Sequence, residues 1–71
     1  MSFIKLPNGS YIRIDQITAV RALPAIDDDD NDITFPDRVI VEGINNKYER
    51  CDCASAEDAE RLAAWIVSKI S

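Results

Sequence analysis

The 71-residue chain contains no histidine. That removes the usual general base near neutral pH and the commonest metal ligand. It has two glycines, Gly9 and Gly43, too few for a glycine-rich phosphate cradle. Neither a P-loop, a G-x-G-x-x-G nor a nucleophile elbow occurs. Long apolar runs are also missing. The longest, Leu62-Ala63-Ala64-Trp65-Ile66-Val67, falls far short of the roughly 20 residues that a bilayer requires. No basic segment followed by an apolar stretch opens the chain, so no signal peptide is expected. These absences predict a cytoplasmic, non-catalytic protein with no cofactor, no metal and no membrane partner.

Cysteine is nearly as scarce. Cys51 and Cys53 are the only two, and in a reducing compartment they are expected as free thiols. Two positions apart on a strand, their Cα atoms lie about 6.5 Å from each other, near the upper limit for a disulfide. A zinc site wants four ligands and one chain offers two thiols, so only a dimer could complete it. The simpler expectation is two small apolar side chains under a helix.

What the chain has in excess is aspartate. Net charge is −5, and Asp27, Asp28, Asp29, Asp30 and Asp32 lie within six residues. The other eight acids match the eight lysines and arginines. The sequence therefore describes a charge-balanced domain carrying one acidic segment. The bases are scattered along the chain, so no direct nucleic-acid binding is expected, because that needs cations clustered against phosphate. An EF-hand needs Gly at its sixth position and Glu at its twelfth. Counting from Asp27 these are Asp32 and Arg38, and from Asp28 they are Ile33 and Val39, so both frames fail.

Apolar periodicity gives the rest. Phe3 to Leu6 and Tyr11 to Ile14 are short strands around Pro7-Asn8-Gly9-Ser10, and Asn-Gly between such runs is a hairpin signal. Ile17 to Leu23 is a third strand, ended by Pro24. Residues 24–37 hold the aspartates and little apolar area beyond Ile26, Ile33 and Phe35, and are expected as a long exposed acidic loop. Arg38 to Ile44 and Lys47 to Cys53 form a second hairpin around Asn45-Asn46, a pair that tolerates positive φ. Ser55 caps a helix to about Ile70, with Asp58 at the third position and an apolar stripe of Ala59, Leu62, Ala63, Ile66 and Ile70. The expected architecture is one α+β domain over residues 1–71. An antiparallel sheet of about five short strands, two hairpins plus a strand, carries one C-terminal helix packed on one face.

Alternation places Ile4, Leu6, Ile12, Ile14, Val39, Val41, Cys51 and Cys53 under the helix. The opposite face then shows Phe3, Tyr11, Ile40, Ile44 and Tyr48. That is much apolar area to leave wet, so either the sheet curls over it or a second chain covers it. Trp65 lies about 120° from the centre of the helix stripe, beside Arg61, Asp58 and Lys69. It either flanks the core or anchors a contact, and a homodimer would relieve the small core of a chain this short.

The run Leu6-Pro7-Asn8-Gly9-Ser10-Tyr11-Ile12, then Ile17-Thr18-Ala19-Val20, a Val/Ile strand and the Ser55-Ala56-Glu57-Asp58 helix start loosely resemble small flagellar FlbD-type proteins. The acidic segment and the Cys-Asp-Cys strand depart from that pattern. The resemblance implies a small regulatory or assembly protein acting through its folded surface. Small size, acidity and lack of chemistry are also similar to phage and mobile-element proteins that inhibit host defence. That likeness implies an inhibitor whose acidic side chains sit on a basic, nucleic-acid-binding surface of a protein partner. The residues expected at such a contact are Asp27, Asp28, Asp29, Asp30, Asp32, Trp65, Tyr11 and Tyr48.

Overall fold

The computed structural model describes residues 2–70. Seven strands precede one helix: β1 (Phe3–Lys5), β2 (Tyr11–Arg13), β3 (Ile17–Leu23), β4 (Ile26–Asp28), β5 (Ile33–Phe35), β6 (Arg38–Gly43), β7 (Tyr48–Asp52) and α1 (Ala56–Ile70). Short 3-10 turns fill Ile14–Gln16 and Ile44–Asn46. All strand pairs are antiparallel, in the order β1-β2, β3-β6-β7 and β4-β5. The fold is α+β, with α1 packed mainly on β3 and β6.

The turns follow from their residues. At the first hairpin the Gly9 N–H donates to the Leu6 carbonyl (2.9 Å) and the Leu6 N–H to the Ser10 carbonyl (2.8 Å). Only Gly9 is left-handed there, at φ 91°. Asn8 keeps an ordinary φ, so the expected Asn-Gly turn uses the freedom of glycine alone. At the second hairpin Asn45 and Asn46 both sit at φ 61°. Two successive left-handed residues match the right-handed twist of the flanking strands. Ser55 caps α1 as expected, its Oγ accepting the Asp58 N–H at 3.2 Å.

Ile4, Leu6, Val39, Val41, Cys51, Ala59 and Ile66 form the buried core, with Ile12, Ile14, Val20, Cys53, Leu62 and Ala63 packed around it. The helix-covered face predicted by alternation is therefore the observed one. Each fully buried Leu, Ile or Val contributes about 1.5–3 kcal/mol. Ile70, the last member of the helix stripe, is exposed.

The acidic segment departs most from expectation. It is exposed along most of its length, but it is not an irregular loop. β4 and β5 pair antiparallel, with Ile26 opposite Phe35 and Asp28 opposite Ile33. Leu23 opposite Arg38 closes the β3–β6 ladder with the same pairing offset. So β3-β4 and β5-β6 are the two legs of one long hairpin. The ladder lapses between them because Pro24 and Pro36 carry no N–H to donate. The junction is held by side chains instead. The Asp37 Oδ1 accepts the Ala25 N–H at 3.1 Å, and Arg38 donates to the carbonyls of Pro24 (3.0 Å) and Pro36 (3.3 Å).

Candidate functional site

Two surfaces stand out, one at each end of β6. The first is the arm formed by β4, β5 and their turn. Residues 24–37 hold six aspartates and no base. At its tip Asp32 adopts φ 54° and its N–H donates to the Asp29 carbonyl at 3.4 Å. Asp28 accepts the Asp30 N–H (3.2 Å) and the Asn31 side-chain amide (2.8 Å). The Asn31 amide, chiefly, holds the Asp28 carboxyl below its ordinary value, so it stays charged further into acid. Asp27, Asp29 and Asp30 are exposed.

The arm also has an apolar side. Alternation along a paired ribbon puts Ile26, Ile33 and Phe35 on one side with Asp28, and Asp27 with Thr34 on the other. Ile26, Ile33 and Phe35 remain exposed. The Arg38 guanidinium lies 5.1 Å from the centre of the Phe35 ring, which covers one edge of that side only.

The second surface is an open groove of about 280 Å³ between the β1-β2 hairpin and the start of β7. Phe3, Tyr11 and Tyr48 line it and are 56, 66 and 68% exposed. The cations around it are Lys47, Arg13 and Lys5, the last 6.0 Å from the centre of the Tyr11 ring. Arg13 is bridged to Asp15 at 2.8 Å. Glu49, the acid in the groove wall, accepts from the Asn8 amide (3.1 Å) and the Ser10 hydroxyl (3.2 Å).

Beside the groove, the outer face of the sheet gathers arginines that are far apart in sequence. Ile40 is flanked across its two neighbouring strands by Arg21 and Arg50. Each is bridged to an acid, Arg21 to Glu42 and Arg50 to Asp52, both at 3.3 Å. The bases are therefore scattered in sequence but clustered in the fold. Such exposed pairs contribute little stability, about 0–1 kcal/mol each.

The expected contact residues divide between the two ends. Asp27, Asp28, Asp29, Asp30 and Asp32 are on the arm, and Tyr11 and Tyr48 are in the groove. Trp65 joins neither. It is 41% exposed on α1, with the Lys69 amine 5.7 Å from its ring centre. Phe3, Lys5, Arg13 and Lys47 belong with the tyrosines, and Ile26, Ile33 and Phe35 with the aspartates. A signal for the second group was present, since Ile-x-Asp and Ile-x-Phe alternate on either side of the aspartate run. For the groove, alternation signalled the exposed face of Phe3, Tyr11 and Tyr48, but nothing local signalled that Arg13 and Lys47 meet them, because the groove joins three strands.

The thiols are placed for packing. Cys51 is buried, and Cys53 is partly buried with its Sγ 3.6 Å from the Cys51 carbonyl. Burial pushes both thiols above their ordinary value. Among the described residues no three His, Cys, Asp or Glu side chains converge as a metal-binding group. No helix among the described residues is long and apolar enough to cross a membrane. No family model, curated protein or solved structure matches the chain.

Proposed function

We propose that the chain is a non-catalytic interaction protein that seats its acidic arm on a basic surface of a protein partner. In its sharper form it is an inhibitor, occupying a surface where a nucleic-acid-handling complex would hold its substrate. One observation carries the reading: a register-continuous hairpin holds a concentrated negative charge at one end of the sheet, with Asp27 and Asp28 on its paired strand and Asp29, Asp30 and Asp32 in its turn. A paired ribbon loses less entropy on docking than an unstructured loop, so more of its contact energy appears as affinity. Its charge also speeds encounter with a cationic partner.

The test replaces Asp27, Asp28, Asp29, Asp30 and Asp32 with Asn in the full chain. The partner is recovered from the native host with the unmodified chain as bait. Affinity is then measured for both forms between about 50 and 200 mM salt. The expected outcome is at least a tenfold loss, a flatter salt dependence, and competition between the unmodified chain and duplex DNA for the partner. Equal affinity and equal salt slope for the two forms would remove the arm from the mechanism. Activity surviving without the arm would place function on the folded surface, as the FlbD-type resemblance implies.

A further inference from the structure

The arm and the groove are complementary in two independent respects. The arm presents Ile26, Ile33 and Phe35 exposed, Phe35 with only the Arg38 guanidinium over its ring, and the groove presents Phe3, Tyr11 and Tyr48 exposed, Tyr11 with only the Lys5 amine over its ring. The arm is anionic, while the cations at the groove, Lys5, Lys47 and Arg13, outnumber the two acids beside them, Glu49 in its wall and Asp15 bridged to Arg13. A two-stranded ribbon with one wet apolar side is marginal by itself, and a cover for that side would stabilise it.

The arm cannot reach the groove of its own chain. β6 leaves the arm at Arg38 and runs to Gly43, and Tyr48 pairs with Glu42 at that far end. The two surfaces thus point to opposite ends of one strand. Two copies laid antiparallel place each arm against the other's groove, so both contacts form at once and the assembly closes. We propose that the groove binds the arm of a second copy, giving a reciprocal two-fold dimer. The dimer requires no other partner, so its test stands apart from the inhibitor reading. An external basic surface would compete with the groove for the same arm.

The experiment measures the mass of the full chain by sedimentation across micromolar concentrations. It uses two variants built on exposed residues, so that the fold is not at risk. The arm variant is Asp30→Lys with Ile33→Ser, the second on the apolar side of the ribbon. The groove variant is Lys47→Glu with Tyr48→Ser. The unmodified chain is expected as a dimer at high micromolar concentration. Its dissociation constant should rise about tenfold or more from low to high salt, as screening shortens the reach of the charges. Each variant alone should be monomeric. Their equimolar mixture should recover a weaker dimer, because it pairs the intact arm of one with the intact groove of the other. Circular dichroism should show both variants folded.

A chain that stays monomeric throughout overturns the proposal. So does a dimer unmoved by either variant, a species that keeps growing beyond two copies, or a mixture that recovers nothing. A labelled oligothymidylate probe bound tightly by the groove would give that surface to single-stranded nucleic acid instead, and would equally overturn it.

Discussion

The side-chain amide of Asn8 donates to the Glu49 carboxylate and to the Arg50 carbonyl, both at 3.1 Å. Its own oxygen accepts the Ser10 N–H at 2.9 Å. This one residue therefore shapes the first turn and ties it to β7. The tie matters because β1-β2 shares no ladder with the three-stranded sheet, and β1 and the first turn together supply Ile4 and Leu6 to the core. Asn8→Ala leaves Glu49 and the Ser10 N–H short of partners, and should cost about 1–2 kcal/mol. A drop in the urea midpoint with an unchanged slope would show it. Asn8→Asp preserves the acceptor for Ser10 but sets a carboxylate against Glu49, so it should be no better than alanine. A midpoint unchanged in both would mean that core packing alone holds the hairpin in place.

Among the elements, the arm is separable from the core. None of its residues joins the core cluster, and its register simply extends that of β3 and β6. Replacing residues 25–36 with Asn-Gly should close the hairpin between Pro24 and Asp37 with a two-residue turn. Folding stability should then change by no more than about 1 kcal/mol, since no core contact is lost. A collapse of the thermal transition would instead make the arm part of the folding unit. The same element marks the limit of what the sequence makes legible. Alternation at Ile4, Leu6, Val39, Val41 and Cys51, and the stripe through Ala59 and Ile66, reveal the core face and the helix, because burial imposes its period locally. Pro24, Pro36 and five aspartates carry the opposite local signal. Pairing wins there because β3 and β6, whose partners run from Leu23 opposite Arg38 to Ile17 opposite Gly43, deliver the two legs already in register, an effect that no local window contains. The groove is legible in part: alternation puts Phe3, Tyr11 and Tyr48 on the spare face, but that they meet one another and Lys47 is decided only across strands.

At the scale of the whole molecule, polarity is confined to the surface and the core holds no buried polar side chain among the described residues. Only the thiols bring titratable groups toward that core. Burial raises Cys51 first, with Cys53 and Glu49 adding repulsion of a thiolate, and burial likewise raises Cys53. The folded chain therefore keeps protons that the unfolded chain gives up sooner. The stability this linkage contributes is fully present below the ordinary thiol value, about 8.5, and is lost as pH rises through the higher folded values. Urea unfolding between about pH 7.5 and 9.5 should thus show stability falling through the upper half of that window. In that window the native thiols should also react with iodoacetamide far more slowly than in urea, Cys51 slowest, because only the thiolate attacks. A Cys51→Ala, Cys53→Ala chain should begin from a lower plateau, having lost buried volume, and should decline less with alkali. An equally steep decline in that chain would assign the pH dependence to other groups, and the thiols would then contribute packing alone.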